Sequence, residues 1–200
     1  MKKVLCVALL AIGSLVNAQN DLPQTATEIF PLLIGEKIPN VTLKSVDNSD
    51  LSLTTLLNKK RTILVFYRGG WCPYCNLHLA ALGEVEAALL GLGYQIIAIS
   101  PDTPKNLKAT EEKDKINYLL LSDSNGELAK AMGIAFQAPE NYKTILSKGS
   151  EGINSTFLPV PSVFIVNLDG EIDFEHITPD YKHRITNDLL MVVAKSLNRE

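Results

Sequence analysis

Cys72 and Cys75 carry the chemistry that this chain could do. They stand in Trp71-Cys72-Pro73-Tyr74-Cys75, after an apolar run from Thr62 to Tyr67 and a turn through Arg68, Gly69 and Gly70. The run reads as a buried strand, and Pro73 suits the first position of a helix, where a missing N–H costs nothing. A strand feeding a CxxC pair into a helix start makes a redox site for a physical reason: free backbone N–H groups and the helix dipole stabilise a thiolate there. Two plainer readings are a buried structural pair and half of a zinc site. The chain has three cysteines, of which Cys6 lies near the start, and His78, His176 and His183 do not follow the pair at zinc-finger spacing. Redox chemistry is the reading the pattern favours, with no metal.

The elements around the pair follow from periodicity and breakers. Val41–Leu43 and Leu51–Leu53 alternate about a polar turn and predict a hairpin, with Thr54 capping a short helix through Leu57. Cys75 to Leu90 has helical spacing at Leu79, Leu82, Val85 and Leu89 and stops at Gly91 and Gly93. Tyr94–Ile99 and Tyr118–Leu121 read as buried strands, Pro104 to about Lys115 as a helix, and Glu127–Met132 as a short helix closed by Gly133. Residues 134–158 lack clear periodicity apart from a helix near Tyr142–Leu146. A connection of that length inside a compact domain either covers a site or is a plain surface insertion. Ser162–Val166 and Glu171–His176 flank the turn signal Asn167–Gly170. Ile185–Leu197 closes the chain as an amphipathic helix with Leu189, Leu190, Val193 and Leu197 inward. The predicted class is α/β: a three-layer sandwich, its mixed central sheet flanked by helices, with an N-terminal hairpin addition.

Residues 1–18 read as a signal peptide. Lys2 and Lys3 precede an apolar stretch from Val4 to Val16, and Val16-Asn17-Ala18 is a small-residue cleavage site. The stretch is too short for an ordinary membrane span, so no stable membrane insertion is expected. Residues 19–34 form a lead-in and 35–200 a single domain. The expected location is the periplasm or the exterior, where a CxxC pair rests as a disulfide unless a reductant is supplied. Losing Lys2 and Lys3 takes the net charge from −3 to −5, which gives no footprint for nucleic acid.

The segments VFYRGGWCPYCNLHL, IIAISPDTPKNL, LLSDSNGELAKAMGI, LPVPSVFIVNLDGEI and PDYKHR resemble the peroxiredoxin-like branch of the alkyl hydroperoxide reductase/thiol antioxidant superfamily. The resemblance spans Gly35 to Leu197 and implies a thioredoxin-like fold, a hydroperoxide substrate and a thioredoxin-like protein as electron donor. It implies no cofactor. Counting from Phe66 in the family's pattern puts Arg68 in the place of a proline, Cys72 in that of a threonine and Cys75 in that of the peroxidatic cysteine. Pro161 occupies the place of the family's active-site arginine. Arg68 and Arg184, which belong to this branch, are the candidates for the missing positive charge; each could equally be a surface ion-pair partner.

The same positions also resemble thioredoxins. Trp71-Cys72-x-x-Cys75 is similar to their WCxxC, and Val160-Pro161-Ser162 to their cis-proline loop, which would leave the Val160 backbone free to pair with a substrate strand. In that reading Cys72 is exposed and attacks, while Cys75 is buried and resolves. In the peroxiredoxin-like reading Cys75 attacks the peroxide and Cys72 closes the disulfide. Trp71 shields the pair and offers a docking face, or simply caps the core; Tyr74 contacts substrate, or packs. The three histidines read as ordinary surface or boundary residues. Three functions follow: a thiol-dependent peroxidase cycling Cys72 and Cys75, a thiol–disulfide oxidoreductase acting on exported proteins, and a non-catalytic interaction domain.

Overall fold

The computed structural model describes residues 22–198; the expected signal segment lies outside them. In chain order the elements are β1 (Thr42–Ser45), β2 (Asp50–Ser52), α1 (Leu53–Leu57), β3 (Arg61–Phe66), α2 (Pro73–Gly91), β4 (Tyr94–Ser100) and α3 (Pro104–Asp114). There follow β5 (Leu119–Ser122), α4 (Glu127–Ala131), β6 (Ala135–Gln137), a single 3-10 turn at Glu140–Tyr142, and α5 (Lys143–Gly149). The last are β7 (Phe157–Pro159), β8 (Ser162–Val166), β9 (Ile172–Ile177) and α6 (Asn187–Leu197).

The main sheet has seven strands in the order β2-β1-β5-β4-β3-β8-β9. β3, β4 and β5 are parallel, because helical crossovers join them; β1, β8 and β9 run antiparallel to their neighbours. β3 is buried on both faces. Ile63 and Val65 pack with Leu79, Leu82 and Leu89 of α2 and with Leu190 and Ala194 of α6. Leu64 and Phe66 point the other way, toward Leu53 and Leu57 of α1 and Leu128 of α4. The two-residue period of a strand thus divides one run into two cores, which is the mixed three-layer sandwich expected.

Four local expectations change. Ser52, not Thr54, caps α1: its hydroxyl accepts the Thr55 N–H at 3.3 Å, while Thr54 donates to the Asn40 side chain at 2.9 Å. α6 begins later than Ile185, because Thr186 accepts the Leu189 N–H and fixes the start at Asn187. That phase leaves Leu189 47% exposed and puts Leu190 and Ala194 inward. In residues 134–158 the expected helix is present as α5, and a strand pair that periodicity did not show, β6 with β7, runs antiparallel around it. The lead-in also packs, with Pro23 and Met132 carbonyls accepting the N–H groups of Gln137 and Leu32.

Candidate active site

β3 ends at the sheet's centre, and Arg68-Gly69-Gly70 turns the chain into α2. Gly69 has φ +138°, a region that side chains rarely adopt, and a Cβ there would meet the Trp71 indole at 2.3 Å. Gly70 donates its N–H to Asp102 Oδ2 at 2.7 Å, and its carbonyl accepts from Asn76 at 3.0 Å. The turn is therefore tied both to the loop after β4 and to the helix it feeds.

Cys72 is the N-cap of α2 and Pro73 its first residue, so both cysteines stand on the first turn, unbonded to each other. Cys72 was expected to be exposed, but it is 2% exposed and Cys75 is fully buried. Both lie in the main core cluster, against which Trp71 packs while also meeting Tyr142 at 5.7 Å between ring centroids. The Cys72 thiol is drawn down from the ordinary thiol range to about 6. The Cys75 thiol as hydrogen-bond partner contributes most, and the Cys75 backbone N–H and the charges of Arg68 and Arg184 add to it against the opposing effect of burial. Cys75 is pushed well up, first by burial and then by its neighbour. The environment thus favours a thiolate at Cys72 over one at Cys75.

Arg184 comes from the loop before α6. Its Nη2 lies 3.6 Å from Cys75 Sγ, and its Nη1 donates to the carbonyls of Tyr181 and His183. Arg68 is 4% exposed. Its guanidinium carbon sits 5.1, 4.6 and 4.1 Å from the ring centroids of Trp71, Tyr142 and Tyr181. Tyr74 is 39% exposed and meets Tyr181 edge-on at 5.7 Å. Beside Arg68 opens a cavity of about 280 Å³, walled by Phe136, Leu158 and Pro161 and by Gln24 to Ala26 of the lead-in.

Pro161 lines that cavity, but the cis-proline expectation fails: no peptide bond among the described residues is cis. Val160 is fully buried, and its N–H donates to the Ile134 carbonyl at 2.9 Å. The Val160 and Pro161 carbonyls accept from Ser162 Oγ at 2.8 Å and the Thr178 N–H at 3.0 Å. The backbone groups there are thus engaged within the chain, by Ile134 just before β6, by the Ser162 hydroxyl and by Thr178 after β9, and not held free for a substrate strand.

His78 is also not a surface residue. It is 6% exposed, its Nε2 lacks a partner among the described residues, and burial and the nearby Arg184 lower it to about 4. It lies two turns into α2 on the side of Cys75, a phase visible in the spacing from Cys75 to Leu79 and Leu82. Asp102 was missed for a different reason. Its role depends on β4 lying beside β3, which brings a residue 32 positions away against Gly70. Among the described residues no group of three His, Cys, Asp or Glu side chains is arranged as metal ligands would be.

A mixed sheet whose central strand delivers a CxxC pair to a helix start defines a thioredoxin-like protein with a dithiol centre. The AhpC/TSA family model matches residues 34–175, and the chain belongs to that family. It is 26% identical over 161 residues to Peroxiredoxin Bcp of Escherichia coli strain K12, covering 80% of this chain and 94% of that one. Among solved structures it is similar to reduced Prx3 from Vibrio vulnificus, with TM-score 0.69 and 17% identity over 82% of this chain and 99% of that one. Peroxidoxin BcpB from Mycobacterium tuberculosis gives TM-score 0.65 and 16% identity, covering 82% and 97%.

Proposed function

We propose that this chain is a thiol-dependent peroxidase in which Cys72 attacks and Cys75 resolves. The observation that carries the reading is the placing of the pair, Cys72 at the N-cap of α2 with Cys75 one turn in and more deeply buried, where the environment lowers Cys72 and raises Cys75. The Cys72 thiolate attacks one peroxide oxygen, the O–O bond breaks, and the second oxygen leaves as hydroxide or alkoxide and takes a proton from solvent. Cys72 becomes a sulfenic acid. The Cys75 sulfur then attacks the Cys72 sulfur, the S–S bond forms and the hydroxyl leaves as water. A dithiol donor of thioredoxin-like kind returns two electrons and two protons by thiol–disulfide exchange. Arg184 at Cys75 and Arg68 beside the rings supply positive charge where the leaving oxygen develops negative charge. The peroxiredoxin relatives support peroxide as the oxidant.

The test is rapid mixing of the reduced chain with one equivalent of hydrogen peroxide between pH 5 and 8, beside Cys72→Ser and Cys75→Ser. The thiolate fraction rises with pH, so the expected rate climbs through a half-point near 6 and is flat above pH 7. Cys75→Ser should lose its Cys72 thiol quickly and accumulate a sulfenic acid there, whereas Cys72→Ser should be slow. Fast loss kept in Cys72→Ser and abolished in Cys75→Ser would make Cys75 the attacking sulfur. Loss no faster than that of a free thiol in all three would reject the peroxidase.

A further inference from the structure

Arg68 presents an unusual combination. It is almost fully buried, yet among the described residues no carboxylate pairs with it and no acceptor takes its side-chain N–H groups. Its nitrogens are not among the fully enclosed unpartnered atoms, so they keep a little access to the cavity, and a cation so poorly hydrated gains from a counter-ion. The three rings around it supply part of that gain through their π faces, but a guanidinium also carries N–H donors along its edge, in a fork that matches a carboxylate. Arg68 lines the 280 Å³ cavity, whose other walls include the apolar Phe136, Leu158 and Pro161 and the neutral Gln24 and Thr25. A single cation on an apolar lining selects an anion with an apolar body. Phosphate or sulfate would leave oxygens against hydrocarbon, which is unfavourable.

We propose that this cavity is a binding site for a small organic carboxylate, held by paired N–H donors of Arg68 with its hydrocarbon body against Phe136, Leu158 and Pro161. The volume suits roughly nine heavy atoms, at ~30 Å³ each, the share of a water molecule in its liquid. Occupancy has a consequence at the thiols. The Arg68 charge is among those that favour the Cys72 thiolate, so a bound carboxylate would cancel it and make Cys72 less reactive. The ligand is then a brake on the dithiol centre. The site itself stands on the geometry of Arg68 and does not require that peroxide be the oxidant.

Trp71, which packs on Arg68, is the one tryptophan of the chain and reports directly on the site. The reduced full-length chain is titrated with hexanoate at pH 7 and fixed ionic strength, with hexanamide as the uncharged match. A saturable change in Trp71 fluorescence is expected with hexanoate, at least tenfold weaker with hexanamide. It should vanish in Arg68→Gln and return weakly in Arg68→Lys, which restores the charge without the fork. Ala26→Phe fills the cavity from the lead-in, away from the core; it should abolish the response while keeping the unliganded spectrum of the parent. At saturation, the pH half-point of Cys72 alkylation by iodoacetamide should move up from near 6, with the slowing read below pH 6. Equal responses to acid and amide, a response surviving in Ala26→Phe, or no response to hexanoate would each overturn the proposal, whatever the peroxide assay shows.

Discussion

Asp102 shows how one side chain sets the terms for its neighbourhood. It is 3% exposed and holds the Gly70 N–H through one oxygen, and burial raises its carboxyl to about 6 although that hydrogen bond works against the rise. The folded protein therefore keeps a proton between about pH 4 and 6 that the unfolded chain has already released. Stability falls as pH rises through that window and is flat above it. A shift of ~2 units corresponds to on the order of 2–3 kcal/mol. Asp102→Asn keeps an oxygen for Gly70 but cannot ionise. Urea unfolding should find it close to the parent near pH 4 and more stable by that amount at pH 7.5. A difference that does not change with pH would show that the carboxyl is not held up in the fold.

The elements that position the dithiol depend on close approaches of backbone to neighbouring side chains. A Cβ at Gly70 would lie 1.9 Å from Thr110 Oγ1 on α3, so the turn before α2 and the face of α3 are fitted to each other. Gly70→Ala should cost about 1–3 kcal/mol, the usual range for an overpacked site, measured as a lower denaturation midpoint. Removing the hydroxyl in Gly70→Ala/Thr110→Ala should restore much of it; failure to do so would place the strain elsewhere. Such contacts also explain what the sequence made legible. The β3 run, Pro73 at the helix start and the glycines after α2 are local signals, and each marks its element within a residue or so. The cap at Ser52 rather than Thr54, and the outward turn of Leu189, depend on hydrogen bonds that composition does not report. The site was legible to the same degree. The CxxC pair is a local pattern, whereas Arg184 reaches Cys75 across 109 positions and only the fold sets that distance.

At the scale of the whole molecule, the segment from β6 to β7 closes the site. Its periodicity is weak because its core is small: Ala138, Leu146 and Leu158 pack with Trp71, Phe136 and Tyr142 as a satellite of the main cores. Polar bonds hold the rest. Ser150 Oγ accepts the Asn154 N–H at 2.8 Å and donates back to carbonyls of its own segment, and Thr103 and Asn106 bind the Gly149 carbonyl at 3.0 and 2.7 Å. The segment is thus docked on the loop after β4 and presents Tyr142 to both Trp71 and Arg68. Tyr142 of this segment packs on Trp71, the neighbour of Cys72, whereas the acidity of Cys72 is set by Cys75, Arg68 and Arg184, so cover and acidity should separate. Tyr142→Ala removes the outer ring and one cation–π contact, worth about 0.5–2 kcal/mol, without touching Cys75 or Arg184. Alkylation of Cys72 should speed up several-fold at every pH while its half-point stays near 6. A moved half-point at unchanged limiting rate would mean that the segment tunes the thiol through Arg68 and does not act as a cover.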